Sequence, residues 1–593
     1  MSGHRLEQQY LKLLQQLGSS ELSCTLQELA TRLCCTRRHM RNLLNQMQAQ
    51  GWIRWHSEPG RGRRSRLQLL YSQQQLLSDR ADQLLGAGHI AQAVALLGEE
   101  TRLLAPLLRA RLGHQSRADR QVLRVPYYRP MPNLYPGTPL RRSEVHLVRQ
   151  IFNGLTRINE ENGEVEADLA HHWQQLDPLC WRFYLRPAVL FHDGRELEIN
   201  DVQLSLQRCA QLPLYQHLQR VEAEGARTLL IHLSAPDPCL PWLLADSAAM
   251  ILPADHGAQS DFASRPIGTG PYRVAANDAW QLQLQAFDGY FGFRALLDEV
   301  DIWMWPDLAE QLELGERQVC GLDLRSADNP LASASGWDVQ LASLPQSESP
   351  APGAATAEMV LEQGGYFLLC DGRSPHWQEA AKRSWLQQVL DPYALMQQVP
   401  LAVRRYWAPA GSLLPIWLHT STRSVQMESR PTRWFRVGEA APKLRLAYYE
   451  QQPEYRLLAR VMASLLAEQG VTLELLELDY ACWSRGEAEV DLWLGSVNFA
   501  APLVWSVGAW LLGTPLLRQG ISGGDPLQLA QWHQAWRSEV LSSEQLVQQI
   551  VDSGWLQPLF HHWLRLQGPA QARGIRLNNL GWFDFKSAWL APE

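Results

Sequence analysis

Long hydrophobic runs are missing from this 593-residue chain. No stretch of about 18 apolar residues occurs, which removes a membrane-spanning helix. The opening MSGHRLEQQYLKLLQQLG also lacks a run of about 7–15 apolar residues behind a basic start, so no secretory signal is read there. A cytoplasmic protein without a membrane partner is expected. Any C-x-x-C pair is missing too. Nine cysteines, an odd number, fit reduced thiols better than a disulfide framework. Cys34 and Cys35 are adjacent, lack partner ligands and read as small buried residues. The doublets His171-His172 and His561-His562 have no third ligand nearby, and adjacent residues on a strand point to opposite faces. They read as structural, and no metal site is expected. No G-x-S-x-G, H-E-x-x-H or G-x-x-x-x-G-K-[ST] string is present, so nothing points to an enzyme or to a cofactor. Internal repeats are absent.

What is there is an uneven distribution of charge. The chain carries a formal net charge of -7. Residues 32–66 hold Arg32, Arg37, Arg38, Arg41, Arg54, Arg61, Arg63, Arg64 and Arg66 against Glu58 alone, a local +8 that leaves -15 for the rest. A basic head on an acidic body implies a polyanionic partner for the head.

Local patterns give that head a shape. Leu6, Tyr10, Leu13, Leu14 and Leu17 form one apolar face of a helix over 5–17. Thr25 and Glu28 make a capping box that opens LQELATRL. After a turn, Thr36 caps a helix whose Met40, Leu43, Leu44 and Met47 point inward, and Gly51 stops it. WIRWH and SRLQLLY read as two strands joined by SEPGRGRR, a hairpin tip loaded with charge. Helix, helix, turn, helix and charged hairpin is the order of a winged helix-turn-helix, placed at 1–72. Opposite the apolar stripe lie Arg38, Arg41, Asn42 and Asn45, positioned for base edges, Arg to guanine and Asn to adenine. Arg37, nearer the first turn, suits a phosphate, and Thr36 at the cap is counted with the DNA-binding residues. Arg61, Arg63, Arg64 and Arg66 of the wing would follow the backbone or enter the minor groove, with affinity that depends on salt. Double-stranded promoter DNA is the expected partner.

Residues 73–121 read as a helical connector, and the strand VLRVPYY starts a second unit at about 122. Four landmarks then appear in order: LVRQIFNGLTRINEENGEVEADLAHHW, WRFYLRPAVLFHDGRELEINDVQLSLQR, RPIGTGPYRV and DLWLGSVNFAAPLVWS. FHDGRELEINDV reads as a strand, a turn at Asp193-Gly194, and Asn200 or Asp201 capping a helix. In GTGPY, Gly268 and Gly270 give backbone freedom for a tight turn and Pro271 precedes a strand. The stretch 326–357, rich in Ser, Ala, Pro and Gly, reads as a mobile surface insertion.

These landmarks resemble the oligopeptide, dipeptide and nickel class of solute-binding proteins over 122–593. The resemblance implies a two-lobed α/β fold of the periplasmic-binding-protein kind (class II, family 5), with lobe I at about 122–305 plus a C-terminal segment and lobe II at about 358–555. Joined to a winged helix, and with LNNLGWFDFKSAWLAP at 577–592, the whole chain is similar to SgrR-type transcriptional regulators. That family implies a multidomain cytosolic activator whose body senses a small metabolite. In its best-known member the signal is sugar-phosphate accumulation and the output is a small regulatory RNA that limits sugar uptake. Lobe closure around a ligand would change DNA affinity or contact with RNA polymerase. In peptide binders the loop matching GSVNFAAP carries an aspartate for the peptide ammonium, where this chain has Asn498. Arg141 and Arg142 stand where those proteins place an acidic residue. Paired guanidinium groups suit a phosphate. An anionic or polar ligand such as a phosphosugar is therefore expected at Arg141, Arg142, Ser496 and Asn498, with Trp407 and Trp493 stacking on a ring. The alternatives are Arg141 and Arg142 lying on the surface or pairing with Glu144, and a regulator of a transport or metabolic operon that answers to a peptide, another solute or a protein partner.

Overall fold

Apolar stripes separated by capping residues bring the first helices and the wing onto one core. In the computed structural model the chain divides into two units, Met1–Arg111 and Leu112–Glu593. The structure describes all residues except 1, 18–20, 58–63, 98–106, 108–112, 118–119, 128, 305–337, 342–357, 362, 400–406, 415–441, 451, 568–571, 575–577, 579 and 592–593.

In the first unit α1 (Ser2–Leu17) buries Leu6, Tyr10 and Leu13. The strand β1 (Glu21–Cys24) precedes α2 (Leu26–Arg32), which the Thr25–Glu28 capping box opens as expected. Next, α3 (Arg37–Ala49) buries Met40, Leu43, Leu44 and Met47 against them. The wing strands β2 (Ile53–His56) and β3 (Ser65–Leu69) complete a sheet in the order β1-β3-β2. The tip, 58–63, lies outside the described residues. β1 went unread because four residues are too short to show a period, and its partner β3 lies more than 40 residues away. Two helices follow, α4 (Gln73–Gly86) and α5 (Ile90–Leu97), and Leu76 of α4 joins the winged-helix core. Most of TRLLAPLLRARL lies outside the described residues.

Tyr10 ties this unit together. Its fully buried hydroxyl lies 2.8 Å from the Tyr71 carbonyl and 3.1 Å from that of Trp52, and accepts from the Tyr71 N–H at 3.1 Å. Those groups flank the wing. Tyr10→Phe leaves them without this partner and is expected to cost about 1–3 kcal/mol, read as an earlier unfolding of the first unit in urea at unchanged slope.

The second unit has two lobes. In the first, β4 (Gly113–Arg117) and β5 (Arg120–Tyr127) form a hairpin, and the helix Arg142–Ile151 follows. β6 (Thr156–Ile158) pairs with β7 (Val165–Ala167). Then β8 (Ala170–Asp177), β9 (Cys180–Leu185), β10 (Leu218–Gly225) and β11 (Thr228–Leu233) make a sheet in the order β10-β11-β9-β8. β12 (Tyr272–Asn277), β13 (Gln281–Ala286) and β14 (Glu299–Met304) join β5 and β4, with β14 parallel to β5. Trp582, Phe583 and Phe585 return to this core from the far end of the chain.

The other lobe is one eight-stranded sheet. It contains β15 (Asp338–Leu341), β16 (Glu358–Leu361), β17 (Gly364–Cys370), β18 (Trp407–Pro409), β19 (Lys443–Tyr449), β20 (Thr472–Leu478), β21 (Leu492–Asn498) and β22 (Leu556–Gln567). Its central order is β17-β21-β19-β20, and β19 runs parallel to both β20 and β21. The stretch 326–357 lies mostly outside the described residues, but its Asp338–Leu341 pairs with β22 as a strand.

Two local expectations change in detail. The helix Ile199–Cys209 is capped at Glu198, two or three residues earlier than expected. Asp201 reaches back to the Glu198 N–H at 2.8 Å and takes two bonds from Arg195, at 3.0 and 2.8 Å. Gly268 and Gly270 are required by crowding and not by a left-handed turn. A Cβ on Gly270 would lie 2.5 Å from the Ile151 carbonyl carbon and 2.6 Å from the Gln150 oxygen. Gly270→Ala therefore pushes on the end of the Arg142–Ile151 helix. A loss of about 1–3 kcal/mol is expected, seen as a lower melting temperature for the second unit.

Candidate functional site

The helix α3 is built as its sequence requires. Thr36 caps α3, its hydroxyl accepting from the His39 N–H at 3.2 Å, and so is occupied locally. Arg37, Arg38, Arg41, Asn42 and Asn45 are exposed on the face opposite Met40, Leu43, Leu44 and Met47. The wing arginines divide. Arg61 and Arg63 lie outside the described residues. Arg64 donates to Glu28 at 3.2 Å and to the Ser23 carbonyl at 3.2 Å, and Arg66 pairs with Glu21. These two are therefore drawn onto the acidic side chains of β1 and α2, which sequence reading did not foresee. Cys34 is exposed and Cys35 half-buried, not the buried pair expected. Cys34 takes a φ of 50° in the turn before α3, and the Cys35 sulfur lies 4.0 Å from that of Met40.

In the second unit a cleft of about 520 Å3 opens between the lobes. Chain order explains its place. From β19 the chain crosses to β20 on one side and then returns to β21 on the other, so the carboxyl ends of β19 and β21 diverge and leave a crevice. Tyr449 ends β19, and Ser496 and Asn498 end β21. Facing them is the start of the Arg142–Ile151 helix, which Arg141 precedes as N-cap. Helix amide groups and two guanidinium groups thus converge at one end of the cleft.

The contacts there cross from lobe to lobe. Arg142 donates to the Asn498 side-chain oxygen at 3.2 Å, and the Tyr480 hydroxyl donates to the Leu140 carbonyl at 3.1 Å. The Arg141 guanidinium lies 4.7 Å from the Tyr480 ring centroid and 5.5 Å from that of Tyr449. Glu144 pairs with Arg129, at 2.6 Å. Ser496 Oγ lies 2.8 Å from the hydroxyl of buried Tyr455.

Five arginines line the cleft, Arg129, Arg141, Arg142, Arg149 and Arg485, and Asp246 is the one carboxylate among its described lining residues. Burial, helped by Arg142 and His561, holds the His562 imidazole well below its usual range, so it is neutral at pH 7. Burial raises the Glu454 carboxyl, with Arg142 opposing the shift.

Arg141, Arg142, Ser496 and Asn498 come together, whereas the two tryptophans do not line the cleft. Trp493 lies an odd number of residues from Ser496 and so on the other face of β21. It is 1% exposed, its N–H bonded to Asp371 at 2.9 Å. Trp407 is buried behind the wall, with ring centroids 5.3 Å from His562 and 5.6 Å from Tyr366. His562 itself reaches the wall, a part missed when the doublet was read as structural. The other doublet breaks the alternation rule. A register shift between Ala170 and His172 leaves both histidines exposed beside Tyr184.

A winged helix-turn-helix in one unit and a two-lobed cleft in the other define a class, a helix-turn-helix regulator with a solute-binding body. Comparisons agree for both parts. Residues 5–119 match the family model described as "Sugar transport-related sRNA regulator N-term", and residues 164–324 match "Bacterial extracellular solute-binding proteins, family 5 Middle". The chain is 45% identical over 592 residues to the HTH-type transcriptional regulator SgrR of Yersinia enterocolitica and 45% identical over 593 residues to that of Salmonella typhi, with 100% of both chains covered each time. It belongs to the SgrR family of HTH-type transcriptional regulators. Its fold is also similar to the oligopeptide-binding protein AppA of Bacillus subtilis in complex with a nonapeptide. There the TM-score is 0.59 and the identity 16%, with 79% of this chain and 99% of that one covered.

Proposed function

We propose that this regulator works in the cytosol, binds promoter DNA through α3 and the wing, and senses an anionic polar metabolite, foremost a phosphorylated sugar, in the cleft of its second unit. In this reading residues 1–72 are the DNA-binding head, 73–121 the connector and 122–593 the sensor. Arg38, Arg41, Asn42 and Asn45 read bases, and Arg37, Arg61 and Arg63 hold phosphates. Thr36 keeps α3 in place, while Arg64 and Arg66 set the base of the wing. Arg141 and Arg142 grip the ligand's phosphate, with Ser496 and Asn498 beside it. The output is activation of a small-RNA gene under sugar-phosphate stress, through altered DNA affinity or contact with RNA polymerase. The observation that carries the reading is the excess of arginine over carboxylate in the cleft of an otherwise acidic chain. The family model's description, which names sugar transport and small-RNA regulation, supports the output.

A thermal-shift screen of the full chain against hexose 6-phosphates, free hexoses, inorganic phosphate and short peptides tests it. A ligand present at 100 times its Kd stabilises by about 2.7 kcal/mol. A rise with the phosphorylated sugars is expected. A rise with peptides alone would overturn the anionic assignment.

A further inference from the structure

The cleft is far larger than a phosphate group, so most of a ligand must meet a wall other than the arginines. Beyond Arg141 and Arg142 that wall includes Leu214, Tyr215, Trp505 and Trp510, and it also holds Asp246, the one carboxylate among its described lining residues. Asp246 stands at the start of the short turn Ser247–Ala249. Its Oδ1 accepts from the Ala248 N–H at 2.9 Å and lies 3.5 Å from the Tyr215 hydroxyl, which has a nearer acceptor in the Leu243 carbonyl at 3.1 Å. A carboxylate offers about four acceptor sites, more than these donors use. Burial raises its carboxyl above the usual range, and the Ala248 N–H, Arg149, the Tyr215 hydroxyl and the Ser247 N–H only partly oppose this. Arg149, the opposite charge acting on it, is itself paired with Glu160 at 3.2 Å. An acceptor in this state is short of donors. Indoles and a carboxylate lining one cleft suit a ring with apolar C–H faces and hydroxyl edges.

We infer that Asp246 is a specificity-determining residue for the uncharged end of the ligand, accepting hydrogen bonds from ring hydroxyls while Trp510 packs on the ring face. This rests on the anion-sensing reading above and adds the second half of the recognition. The Arg141–Arg142 end selects for phosphate, and the Asp246 end selects a polyol over other phosphate esters.

Calorimetric titration of the full chain with a hexose 6-phosphate, its deoxy analogues and inorganic phosphate tests the inference. Asp246→Asn keeps an amide oxygen to cap the turn and removes the charge, and Asp246→Ser, which also caps, serves as the second variant. In Asp246→Asn, affinity for the hexose 6-phosphate is expected to fall about 10- to 100-fold, with affinity for inorganic phosphate unchanged. Removing the hydroxyl that faces Asp246 should weaken binding to the native protein and cost the variant nothing, the signature of direct coupling. Unchanged hexose phosphate affinity in both variants, or a parallel loss for inorganic phosphate, would overturn the assignment of Asp246 alone. If the native protein binds neither phosphate species, the anion-sensing reading fails and this one fails with it.

Discussion

Replacing Arg141 and Arg142 together by alanine is expected to abolish the response to ligand and leave DNA binding intact. Arg142 forms a charge-assisted bond to Asn498 across the lobes, and Arg141 lies against Tyr480 and Tyr449, so both guanidinium groups point into the cleft at the start of a helix. Hydrogen bonds to a charged group contribute about 1.5–3 kcal/mol each, so loss of two anion-gripping arginines should cost about two to four decades in affinity. The double Lys variant restores charge without the planar fork and should recover only part of it. Calorimetry reads ligand affinity, and fluorescence anisotropy on a labelled promoter fragment reads DNA binding. A normal ligand response in the double Ala variant would remove the phosphate site from this end of the cleft.

The second large effect belongs to α3. Arg38→Ala or Asn42→Ala should weaken specific promoter binding by about 1–3 kcal/mol and relax the preference at the base each one meets. Both side chains are exposed on the face opposite the buried stripe, and neither has a partner among the described residues. Arg63→Ala should weaken all sequences alike and lower the salt slope by about one. Arg64 and Arg66 are expected to matter less as phosphate contacts, since a phosphate must draw them from Glu28 and Glu21. Unchanged specificity in both α3 variants, measured against a competitor of scrambled sequence, would end the recognition-helix assignment.

The parts of this molecule that sequence made legible are those whose cause is local. The Thr25–Glu28 capping box, the stripe Met40-Leu43-Leu44-Met47 and the Thr36 cap each depend on residues within a turn or two, and each is present. β1 escaped because its pairing with β3 is a contact at long range. The cleft was legible only through the resemblance that drew attention to Arg141, Arg142 and Asn498. Tyr449, Tyr480, His562 and Asp246 come from separate segments, Asp246 about 200 residues or more before the others, and carry no shared local signal. A general rule could have located Tyr449 and Ser496, because ligands gather where parallel strands reverse their order. Trp493 was misplaced for a simpler reason. Aromatic identity does not tell which face of a strand a side chain takes, but counting along β21 from Ser496 does.

On the anion-sensing reading, the hydrogen bond from Arg142 to Asn498 would make the protein a competitor for one of its own donors. An anion that takes the N–H now given to Asn498 would have to replace that bond, so the gain at that donor would be a difference between two acceptors. The bond across the lobes would then lower apparent affinity by the share of molecules in which it holds that donor. Asn498 would thus act as a set-point, moving the half-response to higher metabolite levels without changing the shape of the curve.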